Sequence, residues 1–152
     1  MRTDAYLYRD GKINGMIDPA DIRIGNYVWY YDYNMIEQAF QVEGIYNGYL
    51  YNTSLPQSKI TLQKANPCIL DLDLLRSFGF LAGDPAYQED PDMYSLKYNR
   101  ISSVHVKYSN HIFQPHTDSP IGLVPYGLPL VHVHQLQNWY HALTRDELEA
   151  LY

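Results

Sequence analysis

The sequence predicts an α+β fold: two small antiparallel β meanders packed with a short central helix and a C-terminal helix pair. Three observations lead there. Apolar runs alternate with polar residues and are broken by turn pairs such as Asn47-Gly48; a two-turn helical stretch is bounded by Asp71 and Gly79; and helical spacing takes over near His134. At 152 residues the chain is long enough to bury one core without covalent staples.

Residues 1–20 read as an N-terminal hairpin appendage, in which Tyr6-Leu7-Tyr8 and Ile13 to Ile17 flank the turn pair Asp10-Gly11. Residues 21–152 then form a single domain. Ile22 and Ile24 alternate with polar neighbours until Gly25-Asn26 kinks the chain, and Tyr27 to Tyr31 is a strand. A run from Ala39 to Tyr46 reaches Asn47-Gly48, Tyr49-Leu50-Tyr51 returns from it, and Lys59 to Leu62 adds a further strand. Short strands with one apolar face need a second layer, and this meander has the makings of a half-open barrel.

Asp71 caps the helix Leu72 to Phe78, and Gly79 supplies its left-handed stop. Asp84, Glu89, Asp90 and Asp92 lie in a Pro- and Gly-containing stretch that reads as a solvated loop. Tyr94 to Asn99, Ser103 to Tyr108 and His111 to Gln114 build the second meander. Pro115, Pro120, Pro125 and Pro129 limit Ile121 to Val124 and Leu130 to Val133 to edge or short strands.

From His134 the spacing is helical. At about 100° per residue, Val133, Leu136, Trp139, Tyr140 and Leu143 fall in one arc, with His134, Gln135, Gln137, Asn138 and His141 around the rest. Thr144 with Glu147 three places on is a capping box, which predicts a last helix carrying Leu148 and Leu151.

Composition excludes several functions. The net charge of −6, with 11 basic residues scattered along the chain, leaves no groove for a nucleic-acid polymer. The single cysteine, Cys68, cannot form an internal disulfide and reads as a buried small hydrophobe. No apolar run is long enough to span a membrane and no leader-like segment opens the chain, so a soluble protein in the cytoplasm of a bacterial host is expected. There is no Gly-rich phosphate loop, and no serine sits in a nucleophile elbow. No cofactor is expected.

All six histidines follow position 104. His132 and His134 would share a strand face, and His105 could supply a third nitrogen, which makes this trio the metal candidate; a helix beginning at Val133 would separate the pair, and no metal is assigned. The 16 tyrosines invite a second thought. Tyr30, Tyr31, Tyr49 and Tyr51 on the first meander form either a tyrosine-rich core and rim or a stacking face for a small nucleotide-like ligand. Gln135, Gln137 and Asn138 either bond to neighbouring backbone or face a partner, the former being the usual fate of buried amides.

Three segments resemble a family of small proteins, with no established reaction, of Bacteroidetes-type bacteria and their phages. They are Ile22-Arg23-Ile24-Gly25-Asn26-Tyr27-Val28, then Ile69 to Phe80, then Val133-His134-Gln135-Leu136-Gln137-Asn138 with Tyr140, Ala142-Leu143-Thr144 and Glu147-Leu148. His132 and His141 depart from the family's pattern, which carries aromatic or apolar residues there, and Asp71 replaces a Thr that would also cap. The resemblance implies a shared framework and a mobile-element setting, not an activity. It moves Gln135, Gln137 and Asn138 towards architecture and leaves His134 and His141 as binding candidates beside the tyrosines.

The reading that follows is a non-enzymatic accessory protein of phage or mobile-element origin that binds a protein partner or itself. The alternatives are an oligomer sequestering a nucleotide-like signal and a histidine-ligated metal enzyme.

Overall fold

A computed structural model describes residues 8–9, 12–13, 17–82, 90–100 and 102–149. The fold is α+β, and among the described residues there are antiparallel sheets, two α-helices and no closed barrel. Among the described residues, no helix is long and apolar enough to cross a membrane. The chain divides into two compact units, one of residues 1–69 and 132–138, the other of residues 70–131 and 139–152.

The first unit opens with β1 (Tyr8–Arg9) and β2 (Lys12–Ile13), which pair antiparallel with Tyr8 opposite Ile13. The rest of the predicted hairpin, residues 1–7, 10–11 and 14–16, lies outside the described residues. A 3-10 turn, Pro19–Asp21, is capped by Asp18, whose carboxylate accepts from Ala20 N at 3.0 Å. Arg23 to Asn26 then make a tight turn closed by Asn26 N donating to Arg23 O, and Gly25 at φ 98° takes the left-handed position that a type II turn requires.

Next come β3 (Tyr27–Tyr31) and β4 (Glu37–Gln41), paired from Tyr27 opposite Gln41 to Tyr31 opposite Glu37. The predicted strand from Ala39 to Tyr46 is divided between two sheets. Val42 N still donates to Asn26 O, extending the first ladder, whereas Glu43 N donates to Tyr51 O and starts the second. The second sheet is β5 (Gly44–Tyr46), β6 (Tyr49–Tyr51) and β7 (Lys59–Thr61). Asn47 at φ 53° and Gly48 at φ 78° form the β5–β6 turn, the two left-handed residues that a type I′ hairpin needs. A 3-10 turn, Leu62–Lys64, leads to β8 (Asn66–Pro67), which pairs with β3.

The two sheets share one core. Val28, Tyr30, Phe40 and Val42 from the first, Leu50 and Ile60 from the second, and Ile17, Ile22 and Ala65 from the connections form a single buried cluster. Asn52 ties the sheets at their ends, its Nδ2 donating to Gln41 O at 2.9 Å and its own N donating to Ser58 O.

In the second unit α1 (Leu72–Ser77) begins at Asp71, whose carboxylate accepts from Leu74 N at 2.8 Å, and Gly79 at φ 99° ends it. Five antiparallel strands follow: β9 (Leu81–Ala82), β10 (Met93–Lys97), β11 (Ser103–Ser109), β12 (Ile112–Ser119) and β13 (Gly122–Pro125), in the order β13-β12-β11-β10-β9. Strand β12 runs through Pro115, where the sequence predicts an end. The Pro115 carbonyl accepts from Tyr126 N, so the missing N–H falls on the same side, just past the last β12–β13 pair, His116 with Pro125. The predicted strand Leu130 to Val133 reduces to single bridges, Leu130 with Phe113 in this unit and His132 with Ile69 in the first. Asp84 and Glu89 of the predicted acidic loop lie outside the described residues, while Asp90 accepts from Lys107 at 3.0 Å, which holds its carboxyl below the ordinary value.

Helix α2 (Val133–Thr144) has its first six residues in the first unit and the rest in the second. It starts one residue earlier than predicted, because Gln135 Oε1 reaches back to accept from His132 N at 3.0 Å, the reciprocal half of a capping box. The predicted helix pair is not formed among the described residues. Thr144 is the last helical residue instead of a new cap, its hydroxyl donating to Tyr140 O at 2.8 Å, and Arg145 at φ 65° turns the chain out. Residues 145–149 are non-helical, and Leu151 lies outside the described residues. Of the predicted apolar arc, Val133, Leu136 and Tyr140 are buried, whereas Leu143 is 46% exposed.

Candidate functional site

The four nominated tyrosines separate by the parity of their strands. Tyr30 points into the core and meets Phe40 edge to face at 5.8 Å, so it is a packing residue and not part of a stacking face. Tyr31, its neighbour, takes the other side of β3 and donates to Glu37 Oε2 at 3.3 Å. Tyr49 and Tyr51 do come together. Their centroids are 6.3 Å apart with planes tilted by 47°, and the Lys59 ammonium lies 4.9 Å from the Tyr49 centroid.

The register explains that grouping. Gly44, Tyr51 and Lys59 lie in one cross-strand row, Tyr46, Tyr49 and Thr61 in another, and all six side-chain positions share one face of β5–β6–β7. Between those rows Leu50 and Ile60 point the opposite way, into the core. Tyr46 is 74% exposed at the margin of this face.

A second feature is the tip between β3 and β4. Asp32 Oδ1 accepts from both Asn34 N at 2.9 Å and Ile36 N at 3.0 Å, while Oδ2 accepts from Gln38 Nε2 at 3.0 Å. Backbone bonds from Met35 N to Asp32 O and from Asp32 N to Ile36 O close the loop, with Met35 at φ 59°. The Ile36 amide is the main cause of a lowered Asp32 pKa, with Gln38 and Asn34 adding to it against a smaller desolvation effect. This bonded turn holds large apolar side chains in solvent: Tyr33 is 95%, Met35 74% and Ile36 55% exposed. Sequence reasoning missed the tip. The available signal was Asp32 and Asn34, two turn-forming residues between alternating runs.

The histidines are spread over several environments. His132 and His134 stack with centroids 5.5 Å apart and planes 9° from parallel, so their ring nitrogens do not converge on one point. His134 is buried, its Nδ1 has no hydrogen-bond partner among the described residues, and burial lowers its pKa against a smaller opposing effect of Asp21. His105, also buried, lies with Nδ1 2.7 Å from Ser95 Oγ and Nε2 3.9 Å from Asp118 Oδ2. Ser95, His105 and His116 form one cross-strand row of β10–β11–β12, a contact set by register that no local motif announces. His141 pairs with Glu147 at 3.5 Å on a half-exposed surface. Among the described residues, no group of three or more His, Cys, Asp or Glu side chains is placed to hold a metal ion.

The amides of α2 face inward. Gln137 Oε1 accepts from Tyr27 N at 2.8 Å and its Nε2 donates to Gly25 O at 3.0 Å. Asn138 Oδ1 accepts from Arg23 Nε and Asn26 Nδ2, and its Nδ2 donates to Asp21 O at 2.7 Å. Gln135 serves the helix start. All three are architectural.

No family model, curated protein or solved structure matches the chain.

Proposed function

We propose that this is a non-enzymatic binding protein that engages another protein through the β3–β4 tip. The supporting observation is the pairing of rigidity with exposure: Asp32 bonds to Asn34, Ile36 and Gln38, and the loop so fixed carries Tyr33, Met35 and Ile36 in solvent. An aromatic and two aliphatic anchors on a pre-ordered turn lose little conformational freedom on binding, which favours contact with an apolar pocket. The partner's rim is basic in this reading, since no Lys or Arg occurs between Arg23 and Lys59 while Asp32, Glu37 and Glu43 do. The histidines lend themselves less to chemistry, with His134 buried and His105 bonded to Ser95 inside a sheet. The resemblance of the Ile22–Val28 and Val133–Asn138 segments to proteins of Bacteroidetes-type bacteria and their phages supports a phage or mobile-element setting in the host cytoplasm.

The test compares the wild type with a variant carrying Tyr33→Ser, Met35→Ser and Ile36→Ser. Affinity capture from host cells is quantified by mass spectrometry, with sedimentation velocity of the purified chains beside it. One protein should be enriched by wild type about tenfold or more over a variant that still melts cooperatively. Equal recovery by both would remove the tip from the interface. Wild-type dimerisation lost in the variant would replace the foreign partner with a second copy.

A further inference from the structure

We propose that the outward face of β5–β6–β7 is a binding site for a planar base carrying a single phosphate, the chemistry of a nucleoside monophosphate. The site is independent of the β3–β4 tip. The base would stack on Tyr51 and the phosphate would meet Lys59.

Four features of this face argue for it. Tyr49 and Tyr51 are tilted by 47° and not stacked, so neither ring covers the other. Opposite Tyr51 on β5 stands Gly44, so the cross-strand position on that side of Tyr51 carries no side chain. A Cβ built at position 44 would meet Tyr51 Cβ at 3.6 Å, so any larger residue there would lie against Tyr51 in the space assigned to the base. Lys59, opposite Tyr51 on β7, is held on the face by Tyr49, at 4.9 Å from its centroid. Leu50 and Ile60, fully buried behind these residues, fix the platform to the core.

Charge selects among ligands. Stacking on tyrosine is indifferent to which base is offered, so the polar end of the ligand has to supply the discrimination. Lys59 is the only cation among the six side-chain positions of the face, which suits one phosphate group. The tract from Ile24 to Ser58 has no basic residue and the chain carries a net charge of −6, which disfavours a polynucleotide backbone.

The experiment is isothermal titration of the full chain with AMP, adenosine and methyl β-glucoside, using wild type, Gly44→Val, Tyr51→Ala and Lys59→Gln. AMP should bind wild type about tenfold more tightly than adenosine, and Lys59→Gln should erase that difference while leaving adenosine unchanged. Both ligands should be lost in Gly44→Val and in Tyr51→Ala. Gly44 is in an ordinary strand conformation, so a β-branched side chain there should leave the thermal midpoint unchanged or raised, which separates blocked binding from unfolding. No heat with AMP, equal AMP binding by wild type and Gly44→Val, or preference for the glucoside would each overturn the assignment.

Discussion

Gln137 takes the place of a strand residue against Tyr27. Its side-chain amide accepts from Tyr27 N at 2.8 Å and donates to Gly25 O at 3.0 Å, the two bonds that a neighbouring peptide group would make. The residue is fully buried, and the start of β3 is completed by a side chain of helix α2.

Substituting Gln137→Leu keeps the volume and removes both bonds, leaving one part-buried backbone donor and one part-buried acceptor without that partner. At about 1–3 kcal/mol for each such group, the expected loss of stability is about 2–6 kcal/mol by urea unfolding. A loss below about 1 kcal/mol would mean that water replaces the amide.

His134 gives the fold a pH dependence of definite sign. Burial disfavours the imidazolium, so the folded-state pKa lies below the ordinary value and the unfolded chain takes up the proton more readily. Stability is therefore full above about pH 6.5 and declines as the pH falls from there through the lowered folded value. In His134→Phe, which preserves the ring stacked on His132 and abandons no hydrogen bond at Nδ1, part of that decline should disappear from urea midpoints measured across the range. An unchanged slope would assign it to other groups.

Asp32 makes a complementary prediction for the tip. Its depressed pKa means that the turn is intact above the ordinary carboxylate range and loosens as the pH falls through the lower folded value. The amide proton resonances of Asn34 and Ile36 should titrate together, with a midpoint below the ordinary aspartate value. Asp32→Asn should abolish the titration while retaining the turn, since its side-chain oxygen can still accept. Independent titration of the two amides would break the link to Asp32.

The bond between Ser95 and His105 can be weighed in the same way. Ser95→Ala removes a 2.7 Å contact between two buried groups, and the expected cost is about 1–3 kcal/mol. A double-mutant cycle with His105→Gln should give a coupling of about 0.5 kcal/mol or more, whereas strict additivity would show that the two side chains are neighbours without a bond.

Elements whose cause is local were legible in the sequence. Asp71 and Gly79 bracket α1 because a cap and a left-handed stop act within one turn of chain, and Asn47-Gly48 makes its hairpin because both residues tolerate positive φ. Where the cause was distant, reading failed. Nothing in the alternation from Ala39 to Tyr46 marks the change of sheet at Val42–Glu43, since each half is a good strand and only the partners differ. Thr144 and Glu147 have the spacing of a capping box, but Thr144 bonds back to Tyr140 and Glu147 pairs with His141. Pro115 reads as a breaker until its place at the end of a ladder is known.

The candidate sites follow the same division. The nominated Tyr30, Tyr31, Tyr49 and Tyr51 were chosen by type, and type alone could not tell the core-facing Tyr30 from the paired Tyr49 and Tyr51. By itself the sequence determined the class of fold, the helix cap and stop, the tight hairpin and the acidic balance, because these depend on residues near each other in the chain or on their sum. Tertiary structure alone decided that the Arg23–Tyr27 turn and the Gln137-Asn138 pair are one hydrogen-bonded network. It likewise placed Ser95 on His105 and brought Lys59 over Tyr49. Those contacts are fixed by strand register and by which face a residue takes, and a shift of one residue would undo each of them.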